Sequence, residues 1–282
     1  MDAIAVTIRD LHRSFGSQKV FDGIDLEVET GKITVIIGKS GGGKSVLLKH
    51  IIGLLKPDSG EIWIDGTEVT HLKEKDLNAV RKKFGMLFQE AALFDSMNVY
   101  ENVAFPLREH THLTEKEIER TVGERLSQVG LSGFAEKMPG ELSGGMKKRV
   151  GLARALVLDP EMILFDEPTS ALDPIISLTI LDLIKETQLN LRKIYIVISH
   201  DILGMFRIAD KVAMLYDGRI TSVQNNITVN LFPDSHKLTH SSLYSSPVIP
   251  APSSPVIPAK AGTQERSWIR NHRTRKISNC PL

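Results

Sequence analysis

The segment Gly38-Lys39-Ser40-Gly41-Gly42-Gly43-Lys44-Ser45 limits what this chain can fold into more than any other stretch. It follows the strand-sized apolar run Ile33–Ile37 and precedes Val46–Ile52, which is helical in pattern. A strand that turns through glycines into a helix aims backbone N–H groups into one small space, at the positive end of that helix. Such a cradle suits phosphate. Lys44 is then placed to reach β- and γ-phosphates, and Ser45 to offer its hydroxyl to Mg²⁺. Chance alone would produce this spacing of Gly, Lys and Ser in roughly one chain in a hundred of this length. The flanking strand and helix make coincidence rarer still.

A strand–turn–helix of this kind belongs in a sheet of parallel strands, and the rest of the chain supplies them. Further strand-like runs lie at Ile4–Ile8, Glu61–Ile64, Gly85–Phe88, Glu161–Phe165, Ile194–Ser199 and Val212–Tyr216. Helical patterns fall between several of them. One opens at Thr114, with Glu117 three residues on as a capping box, and runs to Gln128. Strands alternating with helices predict an α/β fold with a largely parallel sheet covered on both faces.

Two more segments carry chemistry. In Glu161-Met162-Ile163-Leu164-Phe165-Asp166-Glu167 an apolar strand ends in two carboxylates, at the sheet edge where ligands bind. Asp166 there suits Mg²⁺ and Glu167 suits the polarisation of an attacking water. Leu142-Ser143-Gly144-Gly145-Met146 opens the helical run Lys147–Val157, and a serine with two glycines at a helix start is a second anion site. This block resembles the signature of ABC-transporter ATPases, and other motifs of that family follow in order. Gln89 resembles the Q-loop glutamine, Ser170-Ala171-Leu172-Asp173 the D-loop, and His200 the switch histidine. Phe15 stands where the family sets an aromatic ring against adenine. The resemblance covers about residues 3–220. It implies a P-loop NTPase core sheet with an antiparallel β subdomain and an inserted helical subdomain at about 90–158.

By the same resemblance, two copies enclose two ATP molecules head to tail. Gly38, Ser40, Gly41, Gly42, Gly43, Lys44 and Ser45 of one copy face Ser143, Gly144, Gly145 and Asp173 of the other. Ser45, Asp166 and Gln89 attend Mg²⁺, while Lys44, Glu167, Gln89 and His200 carry the hydrolysis. The stretch Phe88–Arg108 and Met146 are most similar to Mla-type phospholipid-transport ATPases. That likeness implies a transmembrane permease, seated on Ala91–Phe94 and Val99–Leu107, and a lipid-binding protein of the mammalian-cell-entry type. The alternative for those apolar residues is the core of the helical subdomain. His110 and His112 are too few ligands for a metal site.

Composition tests the rival classes. The net charge of +1 hides a tail from residue 222 onward with seven Lys/Arg against two acids, which leaves 28 basic and 32 acidic residues before it. A mildly acidic body lacks the basic stripe of a nucleic-acid binder, so no nucleic-acid partner is expected. That tells against a soluble ABC ATPase working on DNA or ribosomes. No apolar run approaches the roughly 18–20 residues of a membrane span, and no signal peptide is evident. A single cysteine, Cys280, fits a reducing compartment. The expectation is a peripheral protein on the cytoplasmic face of the inner membrane, held there by its permease.

The domain is expected to end at 221. Residues 222–282 hold seven of the thirteen prolines, and Ser-Ser-Pro-Val-Ile-Pro-Ala occurs at 245–251 and again at 253–259. This composition predicts an extended or disordered tail in place of the family's C-terminal helices; the alternatives are a docking tail with a basic end, or a truncated remnant.

Overall fold

The computed structural model describes residues 3–225. The first half of the chain forms β1 (Ile4–Phe15), β2 (Gln18–Glu29), β3 (Ile33–Gly38), α1 (Lys44–Ile51), β4 (Ser59–Ile64), β5 (Thr67–Glu68), α2 (Glu74–Arg81) and β6 (Phe84–Leu87). Three helices follow: α3 (Val99–His110), α4 (Glu115–Gln128) and α5 (Gly144–Leu156). The remainder is β7 (Met162–Asp166), α6 (Pro174–Leu191), β8 (Ile194–Ser199), α7 (Ile202–Phe206), β9 (Lys211–Tyr216) and β10 (Arg219–Asn225).

Two sheets result. A six-stranded sheet runs β10-β9-β3-β8-β7-β6, with β9 through β6 parallel and β10 antiparallel on its edge. Its central strands are buried on both sides, which is why they read as unbroken apolar runs and not as alternating ones. Successive side chains still part to opposite faces. Ile33, Val35, Ile37, Tyr195 and Val197 join one core; Ile36, Ile194, Ile196 and Ile198 join the other. The first core is covered by α3–α7. The second lies under α1 and an antiparallel sheet of order β2-β1-β4-β5.

The hairpin of β1 and β2 is the main element beyond the expected strands. It turns at Gly16–Ser17, with Gly16 at φ 58, a conformation open to glycine at little cost. At the other end, β10 carries the strand pattern past 221: Ser222, Val223, Gln224 and Asn225 pair with Met214, Ala213, Val212 and Lys211 of β9. An extended or disordered tail is expected from 222, and its first four residues are instead strand, held by the ladder with β9. The rest of that expectation, and the Pro-rich repeat, lie outside the described residues.

Among the helices, α4 begins as the capping box requires. Thr114 Oγ1 accepts from the Glu117 amide, and the Glu117 carboxylate accepts from the Thr114 amide. Val99, Val103 and Leu107 on α3, and Ile118, Val122 and Leu126 on α4, are buried at four-residue spacing, one stripe per helix. Fully buried Asn102 fixes the loop ahead of α3. Its amide receives a bond from the Phe94 N–H and donates to the carbonyls of Phe94, Met97 and Asn98.

Candidate functional site

The site begins where β3 ends. Gly41 and Gly43 have φ values of 74 and 93, and Gly43 caps α1. A Cβ at Gly43 would lie 2.9 Å from both Phe21 and Val20, so the loop is packed as tightly as glycine allows. Lys44 is 5% exposed and curls back over the loop; its Nζ donates to the carbonyls of Gly38 at 2.9 Å and Lys39 at 3.0 Å. Next to it, Ser45 Oγ donates to Asp166 Oδ1 at 3.0 Å. Two segments 121 residues apart thus meet at the carboxyl end of the parallel strands. Burial pushes the Asp166 carboxyl above its ordinary range, and the Ser45 hydroxyl partly opposes the rise.

Glu167 stands one residue beyond the end of β7 at φ 49, in the left-handed region that a glutamate seldom occupies. Its surroundings hold it there. The Glu167 amide bonds to the Ile198 carbonyl at 3.0 Å, and its side chain is fastened at both oxygens. Oε2 accepts from His200 Nδ1 at 2.7 Å, from the His200 amide at 3.3 Å and from Ser199 Oγ at 3.4 Å. Oε1 lies 3.4 Å from Lys44 Nζ. Because a carboxylate only accepts, this arrangement puts a proton on His200 Nδ1. A strained residue in a cleft, held by its neighbours, is a feature of functional sites.

Gly41, Gly43, Lys44, Ser45, Glu167 and His200 line one cleft of about 450 Å³, together with Phe15, Gln18, Val20, Ser40 and Gln89. Asp166 stands behind Ser45, and Gly38 and Gly42 lie outside the lining. Phe15 is 43% exposed, and the Arg13 guanidinium sits 4.6 Å from its ring centroid, on an aromatic wall at one end. The chemistry suits a nucleoside triphosphate, with a ring to stack on, glycines and a lysine for phosphate, and a hydroxyl paired with a carboxylate for Mg²⁺. Magnesium takes one or two carboxylates with phosphate and water, so the fit holds without a cluster of three acidic or imidazole ligands; none occurs among the described residues.

The second anion site is elsewhere. Ser143 caps α5, its Oγ accepting from the Met146 amide at 3.3 Å, and Ser143 and Gly144 are exposed. Gly145 is buried against α6, where a Cβ would come 2.6 Å from Ile176 Cγ2. Asp173 caps α6 through the amides of Ile175 and Ile176, each at 3.0 Å. None of Ser143, Gly144, Gly145 or Asp173 is among the residues that line the cleft. Gln18 and Val20, which do line it, went unread because β2 did; the Gly-Ser turn was the available signal. Lys148 was also missed. It is buried on the same face of α5 as Gly145 and Leu152, and a lysine in an apolar register position was the clue.

The chain is 46% identical over 213 residues to the probable ribonucleotide transport ATP-binding protein mkl of Mycobacterium leprae (strain TN), a match covering 76% of this chain and 61% of that protein. The matched region therefore spans about three-fifths of that relative's length. It is also 46% identical over 220 residues to the intermembrane phospholipid transport system ATP-binding protein MlaF of Haemophilus influenzae (strain ATCC 51907 / DSM 11121 / KW20 / Rd), covering 78% of this chain and 83% of that one. In shape it resembles the ATP-binding cassette MJ0796, solved as a dimer in a post-hydrolysis state bound to ADP and Pi. The TM-score is 0.71 at 31% identity, over 78% of this chain and 98% of the other. Residues 21–170 match the family model described as ABC transporter, more than half of the chain, and with these relatives that match makes the protein a member of the ABC transporter family.

Proposed function

We propose that this chain is the ATP-hydrolysing subunit of a transporter that moves phospholipid between membranes, acting as a dimer beneath a transmembrane permease. The observation that carries the hydrolytic reading is the position of Glu167. Its carboxylate faces the cleft 3.4 Å from the phosphate-binding Lys44 and is oriented by His200. A base so held orients and polarises water toward the γ-phosphate, while Lys44, the loop amides and His200 stabilise the charge that develops there. Ser45, Asp166 and Gln89 would hold Mg²⁺, which would supply positive charge against the phosphates when bound.

Dimerisation follows from the exposed signature. Ser143 and Gly144 present free helix-end amides to solvent, away from their own cleft, and suit the γ-phosphate held by a second copy. The permease has a matching seat, an apolar groove of about 460 Å³ lined by Phe88, Ala92, Phe94, Phe105 and Pro106. Phe88 and Phe94 are exposed there, whereas Ala91, Val99, Val103, Ala104 and Leu107 are core. Exposed Phe94 supports the permease reading of the apolar segment after Gln89, and the buried residues support the reading as helical-subdomain core. No helix among the described residues is long and apolar enough to cross a membrane, which suits attachment at the cytoplasmic face through the permease.

The phospholipid cargo rests on the likeness to MlaF, and a lipid-binding partner of the mammalian-cell-entry type would complete that system. The mycobacterial relative's name favours ribonucleotide instead. Copurification decides between these readings. Full-length protein drawn from membranes should bring a permease and a lipid-binding partner, hydrolyse Mg·ATP, and move labelled phospholipid between vesicle populations. Transport of nucleotide alone would overturn the cargo; recovery with ribosomes or DNA and no permease would overturn the transporter reading.

A further inference from the structure

We propose that Lys148 is a positioning residue for hydrolysis, its buried ammonium tying the Gln89 loop, the Glu167 backbone and Ser170 to α5, the helix that presents Ser143. The proposal rests on the ATPase reading above. Lys148 is 5% exposed and is not itself among the residues that line the cleft, though it bonds to two that are. Its Nζ donates to the Gln89 carbonyl, to the Glu167 carbonyl at 3.3 Å and to Ser170 Oγ at 3.5 Å. One amino group thus ties α5 to two segments: the Gln89 loop, 59 residues away in sequence, and the turn from Glu167 to Ser170, 19 to 22 residues away.

An ammonium is an expensive way to satisfy two carbonyls and a hydroxyl. Burial pulls its pKa down, against the fields of Glu90, Asp166 and Glu167. A group of lower charge would cost less if packing alone were needed. Three donors on one nitrogen do what an apolar side chain cannot: they hold the Glu167 backbone in its left-handed conformation while fixing the carbonyl of Gln89, whose side chain lines the cleft. Ser143, which caps this helix, faces away from the cleft, and Lys148 lies little more than one turn along.

The test uses the full chain with Lys148→Met, which keeps the length and apolar stem, Lys148→Arg, which restores donors, and Ser170→Ala, which removes the mildest contact. Lys148→Met should lower kcat by about tenfold or more with KM changed less than about twofold, since the residue does not line the cleft. Lys148→Arg should recover a large part of that loss, and Ser170→Ala should lower kcat less than Lys148→Met does. Amide hydrogen exchange without nucleotide should rise at residues 88–92 and 167–170 in Lys148→Met and stay at the parent rate in α4. Parental turnover in Lys148→Met would overturn the proposal. So would a variant in which KM, melting temperature and exchange across the whole chain all move with kcat, because the lysine would then be only structural. A parent chain that hydrolyses no ATP would instead sink the ATPase reading, and the turnover claim with it.

Discussion

Replacing Glu167 by Gln separates binding from chemistry. The side chain keeps its size, and its amide oxygen still accepts from His200 Nδ1, the 2.7 Å contact that orients the pair. What disappears is a negative charge 3.4 Å from Lys44 Nζ. At an effective dielectric of about 20, charges at that separation attract by about 5 kcal/mol before desolvation is counted. Arriving triphosphate must break this pair and bring its own negative charge beside Glu167. Removing the carboxylate spares the nucleotide both costs. If about 1–2 kcal/mol of the gross figure survives solvent and rearrangement, ATP should bind about 5- to 30-fold more tightly to Glu167→Gln than to the parent.

Turnover should move the other way. A neutral amide cannot orient and polarise water as the carboxylate does, so phosphate release should slow by at least about 10²-fold. Calorimetric titration with ATP and single-turnover phosphate release, run on the same preparations, measure the two effects separately. Lys44→Ala provides the contrast, because it should weaken nucleotide binding itself. Weaker ATP binding by Glu167→Gln, or hydrolysis at the parent rate, would refute the assignment of the base.

Cysteines at Ser40 and Ser143 in a Glu167→Gln chain should cross-link two copies when ATP is present; electrophoresis showing only monomer would refute the head-to-tail site. Ending the chain at Ile220 removes the pairings of Ser222–Asn225 with β9. A loss of about 1–2 kcal/mol should lower the melting temperature by several degrees, while a chain ending at Asn225 melts as the full chain does. Asp22 is held down to about 2, chiefly by its bonds to Arg219 of β10 and to Lys19. A depressed carboxyl contributes stability above its unfolded pKa of about 4 and loses it as pH falls through the folded value. The urea midpoints of the parent and Asp22→Asn should therefore differ at neutral pH and draw together as pH falls from about 4 toward and below about 2, and a gap undiminished at about pH 2 would refute the pairing.

How much of this could be read in advance depends on where each residue's constraint comes from. The parallel strands were legible because burial on both faces forces unbroken apolar runs, as at Ile33–Ile37 and Ile194–Ser199. The glycine loop and the Asp166–Glu167 pair were legible because each constellation is contiguous in the chain. The hairpin partner β2 was not, for a local reason. Its alternation of Ile24, Leu26 and Val28 is broken before Ile24, where Gly23 takes φ 84 beside a register shift against Leu11, and Phe21 falls out of phase. Strand β10 is an edge, with Arg219, Thr221, Ser222 and Gln224 facing water. Its place comes from a backbone ladder with β9, which leaves no apolar pattern to find.

Lys148 lies at the far end of that scale. In sequence it is one of two adjacent lysines after the glycine pair, and only its register, in step with Gly145 and Leu152, marks it out. In the fold, Lys147 stays half-exposed while Lys148 is buried between a loop 59 residues earlier and a strand end 19 residues later. Which lysine turns inward is decided by the register of α5 on the sheet. That register depends on glycine at Gly145, where a Cβ would meet Ile176, and at Gly85, where a Cβ would stand 2.1 Å from the Ala155 carbonyl. The glycines of the signature thus serve a structural end besides leaving the helix terminus open to an anion. They let α5 lie close enough to its neighbours for one ammonium to reach the backbone of two distant segments.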